Sequence, residues 1–139
     1  MGKNGTAARA SLLASVPYVC KALENGKLAY WELGNEPDLY KTSAQGPVRP
    51  ANWSEEIYVS EWLNGTRAIR AAMEGPCPNL TTDALYKYYA PSFAGTGTNN
   101  LNPIVTWEDG LDADKDIGII SSHKYVHLPT SSAFNTMNA

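Results

Sequence analysis

The chain has 139 residues, 43% of them hydrophobic and 18% charged, with a formal net charge of −3. That is one ordinary soluble domain's worth of chain, long enough to bury a core. The mildly acidic balance and the lack of any Lys/Arg-rich run argue against a nucleic-acid or anionic-membrane partner, and no stretch approaches the roughly 18 consecutive apolar residues of a membrane span.

Compartment signals point two ways. The amino terminus, Met1-Gly-Lys-Asn-Gly-Thr6, lacks the apolar core of a signal peptide, which by itself expects a cytosolic chain. Four Asn-x-Ser/Thr sequons, at Asn4, Asn52, Asn64 and Asn79, suit a glycosylated secreted protein instead. Cys20 and Cys77 allow either a disulfide or two buried thiols, and sequence gives no separation between them. A secreted-looking body without a secretion signal is expected of a chain that has lost its beginning.

Residues 6–24 carry a helical pattern, with Thr6 as N-cap and Leu12, Val16, Cys20 and Leu23 on one apolar face. Pro17 either kinks this helix or sits in the first turn of a new one. Asn25-Gly26 ends it, and an aromatic-rich strand over residues 28–33 follows, running into Gly34-Asn35-Glu36-Pro37. Residues 38–50 have no periodicity and read as a functional-length loop lying over the mouth beside Glu36. Asn52-Trp-Ser-Glu55 starts a second helix whose buried face is Tyr58, Trp62, Ile69 and Met73, weakened at Gly65 and stopped by Glu74-Gly75-Pro76.

A second strand is expected over residues 85–91, ended by Pro91 and followed by the glycine-bearing loop from Ser92. Those glycines match neither phosphate-binding spacing, so they are turn residues. Pro103 to Leu111 is a short helical segment, and residues 117–122 form a third strand that delivers His123 and Tyr125 to its carboxyl end. The tail from Pro129 to Ala139 is Ser/Thr/Asn-rich and expected to fray.

Strands alternating with helical connections mean a parallel sheet, and polar groups at successive strand ends suggest one shared mouth. The fold class is therefore α/β. A (β/α)8 barrel fits, but it takes about 250 residues, so this chain would be a partial TIM barrel; an open three-stranded α/β unit is the structural alternative.

An acid presented at a strand's carboxyl end is placed for chemistry in such folds, which singles out Glu36. Glu32 lies four residues earlier with the same strand parity, about 13 Å away if the strand is extended. Glycosidase carboxylates stand about 5–5.5 Å apart in retaining enzymes and about 6.5–9.5 Å in inverting ones, so Glu32 reads as a structural acid that needs a buried partner. Residues 117–139 contain no Asp or Glu, and Asp38 lies in the loop beyond Pro37, so a second catalytic carboxylate is not found. Two histidines and two cysteines without ligand spacing imply no metal.

Tyr30-Trp-Glu-Leu-Gly-Asn-Glu-Pro-Asp38 resembles the fourth-strand motif of the retaining glycosidases built on (β/α)8 barrels. Its wording is most similar to glycoside hydrolase family 79, the β-glucuronidases and heparanase-like enzymes, and in particular to the fungal secreted members. Tyr88-Tyr-Ala-Pro-Ser-Phe-Ala-Gly95 resembles that family's fifth strand and Ser121-Ser-His-Lys-Tyr125 its sixth, so the similarity spans most of residues 10–127.

The resemblance implies that residues 1–139 are a fragment of one catalytic barrel domain, roughly strands 4 to 6. Glu36 would be the general acid/base, Asn35 would hydrogen-bond the 2-hydroxyl of the bound sugar, and Tyr125 and His123 would line the pocket. The substrate would be a glucuronide or related glycoside, with no cofactor, and the parent enzyme would be secreted. The family's nucleophile is a Glu on the seventh strand, beyond the strands recognised here, so the 139 residues alone are expected to be inactive. A non-catalytic carbohydrate-binding fragment is the alternative, and a small α/β domain with an ordinary turn at Gly34–Pro37 the plainest reading.

Overall fold

A computed structural model describes residues 5–43, 46–95 and 101–123. It contains α1 (Gly5–Leu23), β1 (Trp31–Glu32), α2 (Glu55–Met73), β2 (Tyr88–Phe93), α3 (Pro103–Glu108) and β3 (Ile117–Ser122), with 3-10 turns at Pro37–Leu39 and Pro78–Thr81. The strands form one parallel sheet in the order β1-β2-β3. Parallel neighbours need a crossover connection, and the helices supply it. The expected α/β class and element order are observed.

The element bounds differ from expectation where backbone geometry overrides composition. Helix α1 runs unbroken through Pro17, which is exposed, while Val16 and Cys20 are buried. It also includes Thr6, so the expected cap position lies inside the helix. Strand β1 shrinks from six expected residues to two, because the ladder opens at Trp31, whose N–H donates to the Lys87 carbonyl, and the chain turns out at Gly34, φ 92. Strand β2 starts three residues later than expected, since Leu85 and Tyr86 are held in a turn by the Thr82 carbonyl. It then passes through Pro91, with an irregular register between Pro91 and Phe93. Proline lacks the ladder donor, and the irregularity is where a central strand absorbs that loss. Helix α3 ends at Glu108, three residues early, and β3 spans the expected residues.

The caps follow ordinary chemistry. The Ser54 hydroxyl accepts from Ile57 N–H at the start of α2, and Asn102 Oδ1 accepts from Ile104 and Val105 at the start of α3. Glu55 then reaches across to accept from Asn102 N–H at 2.8 Å, tying the two helix starts together.

The core lies between the sheet and the helices. Tyr58, Trp62, Ile69 and Met73 of α2 are all buried, as their spacing requires. Their aromatic rings continue a chain of contacts from Tyr40 and Trp53 through Tyr58 and Trp62 to Tyr88 and Tyr86. Cys20 and Cys77 form a disulfide with Cα atoms 5.5 Å apart, joining the end of α1 to the turn after α2. Closing a loop of 57 residues removes unfolded-state freedom worth roughly 4 kcal/mol in the chain-entropy account. The opposite face of the sheet carries Tyr30 over Tyr89, centroids 4.7 Å apart, with Glu32 beside them exposed. There Gly118 leaves room for Tyr30, whose ring a Cβ at that position would crowd. No helix among the described residues is long and apolar enough to cross a membrane.

Asp116 is 4% exposed at the foot of β3, with an Oδ1 that finds no hydrogen-bond partner among the described residues. Burial, followed by the charges of Asp114 and Asp112, pushes its carboxyl up to about 6. A folded-state value above the ordinary carboxylate value means the fold prefers the neutral form of Asp116, so its own contribution to stability is greatest below pH 4 and is lost as pH rises through 6. Asp116→Asn is therefore expected to raise stability at pH 7.5 by on the order of 2 kcal/mol and to change it little at pH 4. Urea unfolding at the two pH values measures this.

Candidate active site

The site forms where the three strands end. Past β1 the chain reaches Glu36 in the left-handed region, φ 50 and ψ 51, a conformation that costs a non-glycine residue about 1–3 kcal/mol. Ser92 on β2 is also left-handed, φ 54. The two are bound to each other, with Glu36 N–H donating to the Ser92 carbonyl at 3.0 Å. One step on, the Phe93 carbonyl accepts from His123 N–H at 2.8 Å, which anchors the end of β3. Ala94 N–H then donates to Asp38 Oδ1 at 2.9 Å. Ser92 and Phe93 at the end of β2 thus hold the backbones of Glu36 and His123, and Ala94 just past it holds the Asp38 side chain.

The side chains converge as the backbone directs. His123 Nδ1 lies 3.0 Å from Glu36 Oε1, and its Nε2 lies 3.7 Å from Glu32 Oε1. The Glu36 side chain is 16% exposed, the His123 side chain 31% and the Glu32 side chain 47%. Glu32 is therefore not the buried acid that extended-strand reasoning expects. It is an exposed carboxylate whose partner is His123, and the turn at Gly34 and Glu36 lets two acids four residues apart reach one imidazole.

The His123 pKa is raised above the ordinary imidazole value, chiefly by the hydrogen bond to Glu36, with smaller contributions from the charges of Glu36 and Glu32 and a partial offset from burial. A protonated ring donates to Glu36, and a neutral ring with a bare Nδ1 accepts a proton held by it.

Asn35 is exposed, with its N–H 3.4 Å from the Tyr40 hydroxyl. Tyr40 belongs to the segment expected to lie over the mouth, and it stacks on Trp53 while Arg49 covers both rings at 5.7 and 5.6 Å. Arg49 is held by Glu61 at 2.9 Å, and Glu61 also accepts from Trp53 Nε1. This stack keeps Tyr40 and Arg49 against Trp53 and Glu61 of α2 and the segment before it. Gly34 is needed beneath Tyr40, since its φ is +92 and a Cβ would meet the Tyr40 hydroxyl at 3.3 Å.

Of the four residues singled out from sequence, the structure brings Asn35, Glu36 and His123 to one end of the sheet. Tyr125 lies outside the described residues, as do the frayed-tail expectation and the sequon at Asn4. Asp38, in the segment expected to be loop, is fully buried. No group of three or more His, Cys, Asp or Glu among the described residues is arranged to hold a metal ion.

Comparison with known proteins now bears on this geometry. Over 138 residues, 99% of the chain, the sequence is 54% identical to a protein from Aspergillus niger named β-glucuronidase. Over 131 residues it is 50% identical to a Neurospora crassa protein of the same name. The resemblance read from the strand-end motifs therefore stands: the chain is homologous to fungal β-glucuronidases along nearly its whole length. It spans about a quarter of the length of these relatives, 25% and 23%. No family model and no solved structure matches it.

The contact order at His123 sets a titration test. Because its folded-state pKa is raised, the stabilisation from its carboxylate contacts is present below the ordinary imidazole pKa and is lost as pH rises through the raised value. Glu36→Gln is expected to lower the His123 titration midpoint, and Glu32→Gln to lower it less. Ring-proton NMR across pH 5 to 9 would contradict the geometry if Glu32→Gln had the larger effect.

Proposed function

We propose that this chain is the acid/base-bearing sector of a retaining glycosidase of the β-glucuronidase type, the class of glycoside hydrolase family 79. On this reading the three-stranded sheet is strands 4 to 6 of a (β/α)8 barrel, and residues 1–139 belong to a single catalytic domain. The observation that carries the reading is the convergence of Glu36 with His123 at the carboxyl ends of a parallel sheet, in a chain 54% identical to a β-glucuronidase over 138 residues. Catalytic groups of such barrels stand at those ends.

Glu36 protonates the glycosidic oxygen as the bond to the leaving group breaks, then takes a proton from the water that releases the sugar. Asn35 binds the 2-hydroxyl of the sugar, a contact that tightens as positive charge develops in the transition state. His123 and Tyr125 take part in binding the sugar. The nucleophile is supplied from outside these strands, so the 139 residues alone do not complete a double displacement. The Cys20–Cys77 disulfide supports a secreted parent enzyme, because such bonds persist in oxidising compartments.

The test places these 139 residues in the Aspergillus niger relative in exchange for the matching segment. A general acid matters most when the leaving group is poor, so Glu36→Gln is expected to cut kcat about 10²–10⁴-fold on an alkyl glucuronide. It should cut kcat/KM by a similar factor there but spare kcat/KM on an activated aryl glucuronide, whose departure needs no proton, while kcat on that substrate still falls because release of the sugar lacks its base. Equal loss of kcat/KM on both substrates, or no loss on either, removes Glu36 from the acid role. Asn35→Ala in the same chimera is expected to lower kcat more than it raises KM, since the contact it removes belongs to the transition state.

A further inference from the structure

Two residues beyond Glu36 stands a carboxylate that the proposed chemistry does not use. Asp38 is fully buried, in the first turn of the 3-10 segment that follows Pro37. Its Oδ1 accepts from Ala94 N–H at 2.9 Å, across the gap between the end of β1 and the end of β2. Burial pushes its carboxyl up, while the backbone N–H groups of Ala94, Asp38 itself and Gly95 pull it back. Several converging N–H groups require an acceptor-only side chain, which an ionised carboxylate is and an amide is not.

The spacing of this bond matters. Glu36 N–H is held by the Ser92 carbonyl and Asp38 by Ala94 N–H, so the turn is pinned to β2 at two points two residues apart. Between them, the Phe93 carbonyl holds His123. With one pin alone, the left-handed Glu36 can relax to an ordinary conformation by rotating about the Ser92 bond. The second pin removes that freedom, and Pro37 restricts the backbone between the two. We infer that Asp38 is a positioning residue: its bond to Ala94 locks the turn against β2 and so keeps the Glu36 carboxylate on His123.

The catalytic meaning of that placement rests on the function proposed above, but the placement itself does not. The experiment therefore reads position without hydrolysis. His123 titration is followed by ring-proton NMR in the full 139-residue chain, its signal separated from His127 by His127→Gln. Asp38→Asn keeps the shape of the side chain and replaces one acceptor by a donor that faces the N–H groups. The expected result is a His123 midpoint lowered in the same direction as by Glu36→Gln, in a chain that still unfolds cooperatively.

A folded Asp38→Asn chain whose His123 titrates as in the parent overturns the inference, because Glu36 then stays in place without the clamp. Loss of cooperative unfolding also overturns it, making Asp38 a determinant of folding rather than of position. A parent His123 that titrates at the ordinary imidazole value removes the contact on which the inference stands. Each result is independent of whether Glu36 proves to be the acid in the kinetic test, so the two readings fail separately.

Discussion

The structure depends on the main chain of Ser92, Phe93 and Ala94. A central strand in a parallel sheet offers carbonyls and N–H groups to both sides, and here its last residues alternate between them. Ser92 and Ala94 serve the β1 side, through Glu36 and Asp38, and Phe93 serves the β3 side through His123. Because the two neighbours are registered on consecutive residues of one strand, their side chains meet at its end. The 3.0 Å contact between Glu36 and His123, 87 residues apart in sequence, follows from that register. Ser92 must leave the regular strand conformation to do this, and its hydroxyl is retained by Ser121 at 2.8 Å across the same junction.

Two left-handed non-glycine residues in direct contact are an expense that packing elsewhere offsets. Phe93, between them and the core, is buried and touches the Tyr58 ring, and Tyr58 continues to Trp62 and Tyr88. The strained strand end is therefore backed by the largest apolar contact network in the fold. The disulfide and the Arg70 and Arg67 ion pairs lie with the turns after α2 and before β3, away from the site. The division is sensible: rigid packing supports the end that carries Glu36, and covalent and ionic links secure the other.

Much of this was legible in the residues. The helix faces of α1 and α2, the order of elements and the third strand follow from periodicity and from turn residues, which act locally. The convergence of Asn35, Glu36 and His123 was legible only as a shared strand-end position, because that inference needs topology and no distances. The extended-strand reading makes Glu32 a structural acid with a buried partner; it is instead exposed beside His123, and positive φ at Gly34 and Glu36 turns the chain between the two acids. Asp38 looked like a loop acid because proximity to Pro37 says nothing about burial. Asp116 gave no signal at all, since an unpaired buried carboxyl is a property of what surrounds it in space.

The contact between Glu36 and His123 bears on how one carboxyl can serve two opposite steps. A double displacement asks the acid/base residue to give a proton first and to accept one later. A fixed cationic partner would favour only the carboxylate, and a fixed hydrogen-bond donor would do the same. An imidazole differs, because Nδ1 is a donor in one protonation state and an acceptor in another. On the proposed function, a neutral ring faces the protonated carboxyl, whose transferable proton lies on Oε2, away from the 3.0 Å contact at Oε1, and a protonated ring faces the carboxylate. Glu32, 3.7 Å from Nε2, supplies the second carboxylate that favours the protonated ring. On the proposed function, the end of β3 contributes a partner that follows the charge of the acid through the cycle, and β2 supplies the rigid spacing on which that exchange depends.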